Sequence, residues 1–163
     1  NRGIIGTRNL NLILQKELNP SKDPLIKMGR TFHLHDKVMQ LKNNYDKEVF
    51  NGDVGRIQKI DRIEQELYVD FEGKLVNYDF SDIDQLMLAY AVSVHKYQGS
   101  ECPCIIMPMH TTHYMMLFRN MLYTGMTRGK RLVIIIGTKK ALSMAIRNNK
   151  VAKRYSGLEK AFA

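Results

Sequence analysis

A chain of 163 residues with 44% hydrophobic content can build one or two small domains with true cores and is too apolar for a disordered tail. No stretch approaches the roughly 18 uninterrupted apolar residues of a membrane span, and no signal-peptide pattern opens the chain, so a folded, soluble, cytoplasmic protein with no membrane partner is expected. The net charge of +9 calls for an anionic partner.

In chain order, "TRNLNLILQKELNP" has Thr7 in a capping position, apolar residues at Leu10, Ile13, Leu14 and Leu18, and a stop at Pro20; this predicts a short amphipathic helix. "SKDPLIKMG" reads as a connector. "DKVMQLKNN", "GDVGRIQKI", "ELYVDF" and "KLVNYDF" then alternate between Asn-Gly, Gly-Asp and Glu-Gly turns, which predicts a small antiparallel barrel or meander with Val38, Leu67 and Val69 inside. After about Asp84 the pattern changes to a buried strand, a polar loop, the strand "CIIMP", a helix from about Thr112 to Met126, the strand "RLVIIIG" and the helix "TKKALSMAIRNN". Continuous apolar strands alternating with helices indicate an α/β fold with a covered, largely parallel sheet.

Charge follows the same division. Arg30 to Asp82 holds eight basic against eleven acidic residues, a net of −3, while the remainder holds seventeen against five, a net of +12. From Arg128 to Lys160 there are ten basic residues and only Glu159 as an acid, which favours nucleic acid or nucleotide phosphate as partner; lysines such as Lys150 and Lys153 fit solvated helix faces better. Cys102 and Cys104 flank Pro103, a spacing that suits neither a mutual disulfide nor a zinc loop, so both are expected to be reduced core residues. The dispersed methionines read as gap-filling core, and the His33/His35 and His110/His113 pairs lack the supporting ligands of a metal site. The chain begins at Asn1 and enters a helical pattern within a few residues, which is expected of a piece of a longer protein.

Two polar islands interrupt the apolar runs. "HKYQGSE" would lie in the crevice at the carboxyl end of a strand if Leu86 to Ala91 is one. There Gly99 permits close backbone approach, Ser93, His95, Lys96 and Gln98 can donate to phosphate oxygens, and the Glu101 carboxylate suits a sugar hydroxyl. The competing reading is an ordinary polar turn. In "RNMLYTGMTRGKRLVIIIG", Arg128 stands between a helix and a buried strand with Thr127 and Lys130. It can offer a rigid, always-charged fork to a phosphoryl group, or it can satisfy helix-end carbonyls or a structural salt bridge.

Together "LNLILQKELNP", "DKVMQLKNNYDKEVFNGDVGRI", "AYAVSVHKYQGSE" and "RNMLYTGMTRGKRLVIIIG" resemble the carboxyl-terminal portion of RecD-type DNA helicases of superfamily one, the exodeoxyribonuclease V alpha subunit and its stand-alone relatives. The resemblance covers almost the whole chain. It implies a second RecA-like motor domain of the P-loop NTPase type formed by residues 1–28 and 84–163, interrupted at 29–83 by an SH3-like barrel. It also implies that Ser93, His95, Lys96, Tyr97 and Gln98 face single-stranded DNA or the motor interface, and that Gly99, Glu101, Thr127 and Lys130 attend the nucleotide, Glu101 near the ribose. Arg128 matches the arginine finger, a device that raises turnover by roughly three to five orders of magnitude in similar enzymes.

Tyr97 departs from the small residues common in the family and either stacks on a base or packs on a strand; Gly125 and Gly129 replace expected alanines, and glycine at a helix end loosens the finger. In the barrel, Lys37, Lys42 and Lys47 offer a strip to DNA, and Tyr45 or Phe50 either stack on a base or belong to the core. No G-x-x-x-x-G-K-[ST] loop is present, nor an acidic strand end for magnesium, so ATP hydrolysis by this chain alone is not expected. ATP and Mg2+ would serve the full-length enzyme, whose first RecA-like domain is the implied partner beside single-stranded DNA, with nuclease subunits as further candidates and 5′ to 3′ travel implied. A non-catalytic nucleic-acid-binding module is the alternative.

Overall fold

The structure, a computed structural model, describes residues 5–149, so the basic run beyond Asn149, with Lys150 and Lys153, lies outside the described residues. The chain divides into two units, one reaching to Ser100 and the other starting at Glu101.

The first unit opens with helix α1 (Thr7–Leu18). A hairpin follows, β1 (Leu25–Lys27) and β2 (Arg30–Phe32). Strands β3 (Lys37–Gln40), β4 (Val54–Asp61), β5 (Glu66–Phe71), β6 (Lys74–Asp79) and β7 (Leu86–Leu88) form one antiparallel sheet in the order β6-β5-β4-β3-β7. Its core is built by alternation: Val38, Ile57, Leu67, Val69 and Tyr78 are fully buried, together with Phe32, Val49 and Leu86. The outer strands of that order are β6 and β7, with no pairing between them among the described residues, so the antiparallel module appears here as a five-stranded sheet beside a hairpin rather than as a closed barrel. Gly55 in β4 is required by packing, because a Cβ there would fall 2.6 Å from Val69 Cγ1 and 2.7 Å from Asp70 O.

Two sequence expectations change in this unit. The residues Leu86–Leu88, expected in the parallel sheet, pair antiparallel with β3, Val38 opposite Leu88 and Gln40 opposite Leu86, because Leu86 completes the core that Val38 begins. Helix α1 centres its buried face on a polar stripe instead of on its leucines, leaving Leu10 and Leu14 half-buried beside that stripe. Asn11 and Gln15 are buried, whereas Leu12, Ile13 and Leu18 are 51%, 46% and 68% exposed. The N-cap is Gly6, with no side-chain capping bond, so Thr7 does not cap.

The second unit carries β8 (Cys102–Met109), α2 (Arg119–Met126), β9 (Gly129–Gly137) and α3 (Lys139–Arg147). The strands β8 and β9 are parallel, with Ile105 opposite Val133 and Met107 opposite Ile135. Met107 and Ile135 pack on one side against Leu117, Leu122, Ala141 and Ala145. The predicted helix over 112–126 is broken: Thr111–Met116 forms a 3₁₀ segment, and Phe118 is extended before α2 begins. Leu117 is buried at the break, and Asn148 Nδ2 donates to its carbonyl at 3.0 Å, satisfying the group the break exposes. Thr138 caps α3 by accepting from the Ala141 N–H. Cys102 is half-buried and Cys104 exposed, both free, which corrects their expected place in the core: the face of β8 that bears Cys104 and Ile106 has nothing packed on it among the described residues.

Candidate nucleic-acid and nucleotide interface

Residues 94–99 form a continuous turn within the first unit. Its shape is set by backbone bonds: Ser93 O accepts from Lys96 N at 3.0 Å and Tyr97 N at 3.2 Å, and Ser100 N donates to Tyr97 O at 3.3 Å. Gly99 has φ +87, which a side chain disfavours, and open space beside it. His95, Lys96 and Gln98 are exposed, while Ser93 and Tyr97 are half-buried. The side chains nominated from sequence for strand contact therefore share one turn, and three of them face water.

That turn is bolted to α1. Asn11 Nδ2 donates to Ala91 O at 2.7 Å while Ala91 N donates to Asn11 Oδ1 at 3.0 Å, so a helix amide grips the backbone just ahead of Ser93. Next to it lies a fully buried carboxylate, Asp36. Its oxygens accept from Gln15 Nε2 (2.5 Å), Asn19 Nδ2 (2.8 Å), His33 N (2.7 Å) and the Tyr90 hydroxyl (2.8 Å). A buried charge survives only with such a full complement of donors. Burial, then the bond to Asp36, pushes the Tyr90 hydroxyl up to about 12. Sequence reading missed this network, although its signal was present: Asn11, Gln15 and Asn19 repeat every four residues, one polar stripe along a helix.

In the second unit the structure brings together Glu101, Thr127, Arg128 and Lys130. Cys102 pairs with Gly129, and Cys102 N donates to Arg128 O at 2.9 Å, which sets the two segments side by side. Lys130 Nζ lies 3.0 Å from Glu101 Oε2, both side chains at least half exposed. Arg128 Nε donates to Thr124 O at 3.2 Å, and its guanidinium reaches Thr127 Oγ1 at 3.2 Å, so the side chain folds onto the end of α2. The cluster stands at the amino ends of β8 and β9, whereas the "HKYQGSE" turn, expected at the carboxyl end of a parallel strand, follows a strand of the antiparallel sheet. Gly129 has a steric reason: a Cβ there would lie 2.7 Å from Val133 Cγ2 and 3.0 Å from Leu132 O. The cluster offers cations for phosphate oxygens and a carboxylate for a hydroxyl, which suits the phosphate and sugar of a nucleotide.

The lysine strip of the antiparallel module is largely occupied. Lys42 pairs with Asp84 at 3.3 Å, and Lys47 donates to Asn77 O at 2.6 Å with its ammonium 4.6 Å from the Tyr78 ring centre. Lys37 instead stands opposite Arg56 across β3 and β4. Tyr45 and Phe50 are exposed and lie outside the core.

Comparison with known proteins shows that both parts of the chain are similar to helicase domains. Residues 10–71 match the SH3 domain of ATP-dependent RecD-like DNA helicases, and residues 88–136 match the UvrD-like helicase C-terminal domain. The chain is homologous to the C-terminal part of RecD-like DNA helicases. It is 33% identical over 159 residues to an ATP-dependent RecD2 DNA helicase of Deinococcus radiodurans, covering 98% of this chain and 22% of that protein. It is 26% identical over 156 residues to the RecBCD enzyme subunit RecD of Haemophilus influenzae, covering 96% and 23%. The chain thus spans less than a quarter of the length of either relative. Among solved structures, a Bacteroides Pif1 helicase in complex with ADP-AlF3 and ssDNA superposes with a TM-score of 0.61 at 17% identity, over 95% of this chain and 42% of that one. A second Pif1 structure, of two coordinating helicases at forked DNA, gives 0.53 at 20% identity, over 81% and 32%. These likenesses carry the RecA-like helicase fold.

Proposed function

We propose that this chain is the second motor domain of an ATP-dependent DNA helicase, with residues 29–83 as an SH3-like insert between 1–28 and 84–163. In this reading Ser93, His95, Lys96, Tyr97 and Gln98 contact single-stranded DNA. Gly99, Glu101, Thr127 and Lys130 attend the nucleotide, and Arg128 is the finger that meets charge developing on the γ-phosphate. The observation that carries the reading is the convergence of Glu101, Thr127, Arg128 and Lys130, drawn from two segments, at the ends of two paired strands.

The nucleotide would lie between this domain and a first RecA-like domain of the same protein, which would supply the phosphate loop and the Mg2+ ligands. Mg2+ held by that first domain would supply positive charge to the phosphates. The residues here do the rest: Glu101 accepts from a ribose hydroxyl, Lys130 leaves Glu101 for a phosphate oxygen, and Arg128 exchanges Thr124 O and Thr127 Oγ1 for the γ-phosphate. The chain alone then hydrolyses no ATP. Strand travel from 5′ to 3′, a cytoplasmic location and association with nuclease subunits belong to the same reading, supported by the RecD-like relatives.

A non-catalytic strand-binding module is the second reading, favoured by the hold of Thr124 O and Thr127 on Arg128. Arg128→Ala in the complete enzyme separates the two. A finger predicts a loss of ATP turnover of about a thousandfold or more with single-strand binding retained. Equal loss of turnover and binding would assign Arg128 to the end of α2 and remove it from catalysis.

A further inference from the structure

The loop joining β3 to β4 holds two large rings out in water. Among the described residues of the first unit, the aromatic side chains left exposed are Tyr45 (75%) and Phe50 (45%), set edge to face with centroids 6.0 Å apart. The loop beneath them is rigid. Asn44 and Val49 exchange both backbone bonds at 2.8 and 3.0 Å, and Val49, 1% exposed, anchors the loop in the core. Lys47 N donates to Asn44 Oδ1, Asn51 N to Asn43 Oδ1 and Phe50 N to Asp53 Oδ2, all at 3.0 Å or less. Such bonding holds the loop backbone that carries the rings, so a ligand that stacks on them loses little binding energy to ordering the loop.

The position of the loop selects the ligand. Its base, where Gly52 (φ +104) donates to Gln40 O at 3.0 Å two residues past Phe50, lies against the Ser93–Gln98 turn: a Cβ on Gly52 would sit 3.5 Å from Lys96 O. The turn carries the exposed donors His95, Lys96 and Gln98; the loop carries two bare rings with exposed Asp46 and Glu48 between them in sequence, Glu48 being tied to Lys74. Acidic residues repel phosphate, whereas the face of a ring accepts any base. A strand fits this division, with its backbone toward the turn and a base toward the rings.

We propose that Tyr45 and Phe50 form a stacking seat for one base of a single nucleic-acid strand whose backbone runs along the Ser93–Gln98 turn; the seat rests on the strand-binding part of the function proposed above. The test uses the complete chain, an oligothymidine carrying single 5-iodouracil substitutions, and an abasic strand of equal length. Irradiation of the bound iodouracil strand is expected to crosslink Tyr45 or Phe50. Tyr45→Leu and Phe50→Leu, which keep apolar bulk, each weaken oligothymidine binding about tenfold and leave abasic-strand binding unchanged. Crosslinks confined to residues 93–98, with both variants binding like the unaltered chain, would overturn the seat while strand binding stands. Equal weakening toward both strands also overturns it, because the loop would then act on the fold and not on a base. An unaltered chain that retains no strand even at low salt defeats the strand-binding reading and the seat together.

Discussion

The two units solve the same problem with unequal means. Among the described residues the first gathers thirteen buried hydrophobic side chains into one cluster, and the second gathers five. In the first, both the apolar alternation and a buried polar network point inward. In the second, β9 turns Val133 and Ile135 toward the helices and leaves Leu132, Ile134 and Ile136 exposed, with Ile106 of β8 also exposed. Parallel sheets are ordinarily covered on both faces, so a two-stranded one covered on a single face has little burial to hold it. The contrast teaches that the Ser93–Gln98 turn is mounted on a unit with its own full core, while the Arg128 cluster is mounted on a thin one.

The largest expected break of that contrast is Gly137→Ala. Gly137 pairs with Met109, and a Cβ would fall 1.8 Å from Met109 O, so β8 and β9 must part. A cost of about 3 kcal/mol or more is expected, and hydrogen exchange should show β8 and β9 amides losing protection while those of β3 to β6 keep theirs. Even loss across both units would show that they unfold as one.

Asp36→Ala should act on the other side of the comparison. It takes one acceptor from Gln15 and Asn19, which keep Thr31 O and Leu34 O, and removes the acceptor of His33 N and of the Tyr90 hydroxyl, at about 3 kcal/mol in urea unfolding once partial rehydration is allowed for. A loss below about 1 kcal/mol would mean that α1 is held by its half-buried leucines after all. Tyr90→Phe sharpens the same network through pH. The hydroxyl titrates at 10.0 in ordinary surroundings and at about 12 in the fold, so the native state holds its proton more tightly than the unfolded chain. Its contribution is fully present below pH 10 and is lost as pH rises through about 12, and the phenylalanine variant should show a shallower alkaline loss of stability over that window. Identical alkaline slopes would remove Tyr90 from the account.

How much of this was legible in the sequence differs by element. Antiparallel strands with tight turns were readable because alternation has a period of two and each strand buries one face. The helix α1 was readable as a helix, but not its orientation, because hydrophobicity alone selects the leucine face while the structure buries Asn11 and Gln15 to satisfy Asp36 and Ala91. Leu86–Leu88 was misassigned for a related reason: a three-residue apolar run fits either sheet, and only its register with Val38 and Gln40 decides. The residues of the Arg128 cluster were nominated by motif, but their meeting depends on the Cys102–Gly129 register, which no local pattern encodes.

The smallest expected effect falls on the Glu101–Lys130 pair. At 3.0 Å it looks like a strut across β8 and β9, yet the two side chains are 50% and 61% exposed. Water and salt screen such a pair, and holding two long side chains costs rotamer freedom, so its net contribution is about 0 to 1 kcal/mol. Glu101→Gln should therefore leave thermal stability nearly unchanged at 150 mM salt, taken as about physiological ionic strength. In the complete enzyme the same variant should weaken nucleotide binding severalfold, because a neutral amide accepts more weakly from a ribose hydroxyl than a carboxylate does. A group that holds little of the fold but much of a ligand is placed for the ligand. A marked drop in melting temperature with unchanged nucleotide affinity would reverse the assignment, making the pair a clamp on the thin unit.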